Sequence, residues 1–228
     1  MTMTTHAVPR TRLDRTDHRT AAGLVGLVAG AVLLALGRIL ATPGGSPGDR
    51  LHQMTGHDLQ VTAAALLAIA GFTALVPGFW TVAAHVRRRG RLLATVGAGL
   101  VLAGSVGFSV LTAVDLSTLA STHVSDPGPM RAFLHQLDVS PGILALTVPA
   151  VLGYFCGPFL VTLAARRAGF VPRWLPWAVV ASLVVQPLGA ALGGPALARV
   201  VDTVCQLLLV TVVTVLAAAT RRAHADVT

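Results

Sequence analysis

The chain has 228 residues, of which 54% are hydrophobic and 11% charged, and its mean hydropathy is +0.74. An ordinary soluble domain carries roughly 25% charged residues, so a water-soluble fold is excluded. The formal charge of +8 resides in Arg residues that flank apolar runs; nucleic-acid binding needs a basic stripe instead, so a nucleic-acid partner is excluded as well.

Residues 1–20 are polar and rich in Thr and Arg, with no hydrophobic period, which predicts a disordered cytoplasmic tail. A first apolar run covers 21–41. Its basic flank is that of a signal peptide, but the run exceeds the roughly 7 to 15 residues of such a segment. No small-x-small cleavage site precedes Pro43, so the run is predicted to stay in the protein. Further apolar runs occupy 59–84, 92–114, 142–165, 174–192 and 195–219. Each has about the 20 residues that a helix rising 1.5 Å per residue needs to cross a hydrocarbon core of about 30 Å. The last two meet at Gly193, Gly194 and Pro195, helix breakers that predict a tight hairpin. The expected fold is all-α: a polytopic bundle of six transmembrane helices over 21–220, with a short cytoplasmic tail at 221–228.

Positive loops stay in the cytoplasm, and the Arg residues divide cleanly. Arg10, Arg12, Arg15, Arg19, Arg87, Arg88, Arg89, Arg91, Arg166, Arg167, Arg173, Arg221 and Arg222 fall on one side, and Arg38, Arg50, Arg131 and Arg199 on the other, a division of 13 to 4. Both termini are therefore predicted to be cytoplasmic. Every basic residue is Arg and every acidic one Asp, a bias of composition that carries no mechanism. Asp49, Asp58, Asp115, Asp126, Asp138 and Asp202 gather at the outer face, although acidic residues weigh little in insertion.

That gathering marks the candidate site. Arg38 ends the first span, His57 and Asp58 open the second, Asp115 closes the third, and His135 and Asp138 precede the fourth. Arg199 and Asp202 lie in the last span, three residues apart, a spacing that permits an ion pair on one helix face, and Gln206 follows one turn deeper. Ionisable groups within a span cost roughly 2.5 to 3.5 kcal/mol on insertion scales and face the bundle interior or water. These nine residues are predicted to line an outward-facing polar pocket for a small or lipophilic ligand or a cation. Pro77, Pro149, Pro158 and the Gln186-Pro187 pair interrupt their spans, as helices that line cavities do.

Other chemistries lack their motifs. No metal site is predicted: His57 and Asp58 are adjacent and His52 is five residues away, whereas two ligands on one helix face need His-x3-His spacing. His135 and Asp138 are three apart, but no second such element accompanies them. No His sits mid-span for a bis-His haem. The chain has no Gly-x-Ser-x-Gly turn and no His-Glu-x-x-His helix. Cys156 and Cys205 lie in separate apolar runs and behave as small hydrophobes. Gly26/Gly30, Gly153/Gly157 and Gly189/Gly193 form Gly-x3-Gly pairs, a pattern of close helix packing.

The segments PGFWTVAAHVRRRG at 77–90 and GPFLVTLAARRAG at 157–169 echo each other, both leaving a span through an Arg turn. With the stretch LVPGFWTVAAHVRRRGRLLATVGAGLVLAG and the later RRAGFVPRWLPWAVV, the chain resembles a broad group of six-helix integral membrane proteins from actinobacteria. The resemblance covers most of the chain after Ala21 and implies the scaffold, without an activity, cofactor or site residues. Three functions follow from the sequence: transport or binding of a lipophilic ligand, an intramembrane enzyme acting on a lipid or terpenoid without an obvious cofactor, or a structural subunit of a membrane complex.

Overall fold

The computed structural model describes residues 11–41, 56–86, 90–121, 132, 136, 140–192 and 195–225. Six helices account for nearly all of them: α1 (Thr11–Leu40), α2 (Asp58–His85), α3 (Arg91–Ser121), α4 (Pro141–Arg167), α5 (Leu175–Leu192) and α6 (Pro195–Ala225). No strand occurs among the described residues. Five of the six, all but α5, contain stretches long and apolar enough to cross a membrane. α5 has 18 residues, about 27 Å of helix, close to the thickness of the hydrocarbon core. The protein is a multi-pass α-helical membrane protein.

The helices coincide with the six apolar runs but extend past them. α1 begins at Thr11, inside the segment predicted to be a disordered tail, and α3 continues to Ser121. Hydropathy marks where the hydrocarbon ends, whereas the helix ends where its hydrogen-bond ladder does. Arg and Leu, which are good helix formers, carry the ladder into the polar region.

The helices pack in chain order around a ring, and α6 closes it against α1. Lipid is as apolar as Leu, so the seams rest on van der Waals contact rather than on exclusion of water. Two of them are built on glycine. Gly26 and Gly30 of α1 lie against the backbone of α2, where a Cβ on Gly30 would come within 2.8 Å of the Gly71 carbonyl. Gly97, Gly104 and Gly107 of α3 meet Gly157, Gly153 and Ala150 of α4 in the same way. Gly189 and Gly193, the third predicted pair, lie outside the residues whose packing is described.

The sequence echo has a structural counterpart. Pro77 and Pro158 each stand inside a helix, and four residues later the hydroxyls of Thr81 and Thr162 donate to their carbonyls at 2.8 and 2.9 Å. Each repeat ends on a glycine with positive φ, +102° at Gly90 and +88° at Gly169. Only glycine adopts that conformation without strain. Trp80, Trp174 and Trp177 are all exposed near this Arg-rich end, at the level where amphipathic rings favour a membrane interface. His85 Nε2 also meets His224 Nδ1 at 3.1 Å there, joining α2 to α6.

Candidate functional site

Ring packing leaves a cavity of about 50 Å³ between the helices. Every helix except α3 contributes to its wall: Ala31 and Leu34 from α1, Leu75 and Phe79 from α2, Tyr154, Pro158 and Thr162 from α4, Val179 from α5, and Gln206, Leu209, Val212, Val213 and Leu216 from α6. Almost all of this surface is hydrocarbon. Gln206 lies eleven residues into α6, about 16 Å from the end of that helix, so the cavity begins near mid-span and runs toward the Arg-rich end.

Three of the lining side chains are polar. Thr162 spends its hydroxyl on the carbonyls of Pro158 and Phe159, both at 2.9 Å. Tyr154 is clamped by aromatic edges, with Phe108 at 5.3 Å and Phe72 at 6.2 Å between ring centroids, and those two rings stack at 5.4 Å. Such pairs contribute about 0.5–1.5 kcal/mol each beyond their burial, and they fix the phenol where α2, α3 and α4 meet. The Gln206 side chain approaches the Tyr154 hydroxyl and is 3% exposed. Its amide nitrogen Nε2 is fully buried, and the Tyr154 hydroxyl beside it in the same wall can take its hydrogen bond.

Above this pair, toward the C-terminus of α1, lies a charged layer. Asp202 Oδ1 accepts a hydrogen bond from Gln186 Nε2, tying α5 to α6. At the same end Gln60 of α2 donates to the Leu40 carbonyl of α1 at 2.7 Å, satisfying one of the acceptors that a helix C-terminus leaves open.

Of the predicted site residues that are described, Gln206 alone lines the cavity, beside Tyr154; Asp202 stands one turn from it on α6, bonded to Gln186, and Arg38 is exposed near the end of α1. Arg199 does not join them. It is exposed, and Asp202 takes Gln186 as its partner, so the ion pair that the three-residue spacing permits is not formed. Gln186 lies on a facing helix and brings a neutral donor to the half-buried carboxylate, which an exposed guanidinium could reach only by leaving water. His57 and Asp58 stay at the mouth of α2, and Asp115 is exposed on α3; none of the three lines the cavity. His135 and Asp138 fall outside the described residues. No group of three metal-ligating side chains occurs among the described residues.

Tyr154 escaped the sequence reading, although it is the sole Tyr in the chain. A hydroxyl in the middle of an apolar run is itself a mark, because polar groups in a span seek the bundle interior.

Fold and site together define a class: a polytopic α-helical membrane protein with an apolar cavity beneath a charged layer. Comparison with protein families, with curated proteins and with solved structures finds no match, so function must be argued from the cavity's own chemistry.

Proposed function

We propose that the protein binds a small, uncharged lipophilic molecule inside its helix ring, as a transport or binding component of a bacterial plasma membrane. The cavity carries this reading, being lined by residues of five helices and walled almost wholly by hydrocarbon, the setting in which apolar ligands are held. No charged side chain stands among the described residues of its wall, which favours a neutral ligand over a cation. The Arg distribution directs the Arg38 end outward, so the ligand lies between a charged outward layer and the Arg-rich cytoplasmic end.

Photolabelling of the full chain in phospholipid nanodiscs with an unbranched alkyl diazirine tests the reading. Saturable labelling is expected at Leu34 and Val213, which line the cavity and are each 7% exposed. It should vanish in Ala31→Leu and in Val213→Phe, either of which fills the space. Labelling confined to lipid-facing positions such as Leu36 and Val204 would refute a ligand cavity.

A further inference from the structure

We infer that the start of α3 and the end of α4 together bind the phosphate headgroup of an anionic phospholipid of the cytoplasmic leaflet, held by Arg91, Arg166 and Arg167.

The backbone brings these residues together. Gly90 stands just before α3 with φ +102°, and a Cβ there would lie 3.2 Å from the Ala164 carbonyl oxygen, so the entry to α3 rests directly on the last turn of α4. Phe170, beyond α4, packs against the small core of Ala83, Val86, Ala94, Ala98 and Ala164, and Val171 beside it is buried. The contact is thereby braced from both sides. Arg91 follows Gly90 directly, and Arg166 and Arg167 come two and three residues after Ala164. Three guanidiniums are thus rooted within about a turn of one backbone contact.

Their charge is not compensated by the protein. Arg91 and Arg167 are exposed and Arg166 is half-buried, and no hydrogen bond or ion pair among the described residues engages any of the three. The acidic residues whose side chains are described, Asp58, Asp115 and Asp202, belong to the opposite end of the bundle. α3 begins at Arg91, and its N-terminal dipole adds to the positive potential. A guanidinium does not give up its proton, so the cluster cannot relieve its own repulsion by neutralising and takes a counter-ion instead. The forked donors of Arg match a phosphate, which can accept two parallel bonds from each.

Depth selects a lipid as the source of that phosphate. Arg91 is the first residue of α3, and Arg166 and Arg167 are the last two of α4. Trp174 and Trp177, which follow, are 48% and 62% exposed, as rings at a membrane interface are. An anion held among these residues lies in the headgroup layer, and basic pockets between helices on the cytoplasmic side are where acidic headgroups bind. Leu92 and Val96, exposed on the first turns of α3, offer the acyl chains an apolar surface beneath the phosphate.

Tryptophan quenching in vesicles tests the assignment. In Trp80→Phe the two remaining Trp residues, Trp174 and Trp177, report on lipid beside the site. Phosphatidylcholine with brominated acyl chains quenches them, and unbrominated phosphatidylglycerol mixed into it restores fluorescence beyond its mole fraction where the acidic lipid is preferred. That protein is expected to favour phosphatidylglycerol over phosphatidylcholine by about fivefold or more, since one Arg near an acidic surface contributes about 1 kcal/mol. Adding Arg166→Gln with Arg167→Gln should bring the ratio close to one, whereas Arg166→Lys with Arg167→Lys should retain a preference, which shows that the fold survives changes at these positions. Arg221→Gln with Arg222→Gln makes the same change of charge on α6 and should leave the ratio as it was. A ratio of one before any Arg is changed would overturn the site, and so would equal losses in the two Gln pairs, because the preference would then belong to diffuse surface charge. Loss of the preference on adding millimolar inorganic phosphate would overturn the lipid as its occupant.

Discussion

Gly153 provides the sharpest test of how this bundle is held together. A Cβ placed there would strike the Leu100 carbonyl and the backbone nitrogen of Gly104, and would lie 2.6 Å from the Gly104 Cα. All three obstacles are backbone, so no side chain can swing aside. Ordinary carbon contacts begin near 3.5 Å, which means that α3 and α4 must part by about 1 Å in Gly153→Ala. Overpacking of that kind costs about 1–3 kcal/mol, against which Ala gains about 0.8–1.0 kcal/mol over Gly in helix propensity. The balance is a loss of about 1 kcal/mol, and up to 2. Gly99 on α3 is the control, because a Cβ there meets nothing within 4 Å and Gly99→Ala keeps only the propensity gain. Thermal unfolding of both variants in one detergent should place Gly153→Ala below the wild type and Gly99→Ala level with it or above. If the two Ala variants melt together, the seam is not set by glycine contact and the account of the ring fails. The adjacent Tyr154 would move with the seam, so Gly153→Ala should also weaken alkyl-diazirine labelling of the cavity.

Two more outcomes follow from particular contacts. Gln186→Leu leaves the half-buried Asp202 carboxylate without its donor, a loss of about 1–3 kcal/mol, and Asp202→Leu strands the amide in turn. The double Leu variant should lose less than the two singles combined; additivity within about 0.5 kcal/mol in a double-mutant cycle would show that the bond is not made. Orientation is checked by reporter fusions: a periplasm-active enzyme fused after Asp126 is expected to be active and one fused after Arg89 silent, and the reverse pattern would invert the protein.

The legible part of the site was its chemistry, and the illegible part was its convergence. Asp202 and Gln206 stood out because polar groups are costly in a span, and Arg38 because it ends one. Their partners could not be read, since a spacing of three along α6 points Asp202 toward Arg199 as plausibly as toward another helix, and Gln186 on α5 takes the bond. The outer Asp and His residues looked equivalent in sequence. None of His57, Asp58 and Asp115 lines the cavity, whose polar side chains are Tyr154, Thr162 and Gln206.

The amino-acid sequence by itself determined that this is a membrane protein, where its apolar runs lie, and on which side its Arg residues gather. Those properties depend on transfer of each segment from water to lipid, a sum over nearby residues that needs no knowledge of the rest of the chain. The closure of α6 onto α1, the cavity within the ring and the place of Gln206 beside Tyr154 in its wall were decided only by the tertiary structure. Lipid and protein interior are equally apolar, so hydropathy does not say which face of a helix turns inward. The rotation of each helix is set by contact with its neighbours, as where Gly104 meets Gly153 and Gly30 meets Gly71, and that rotation chooses which polar side chains meet.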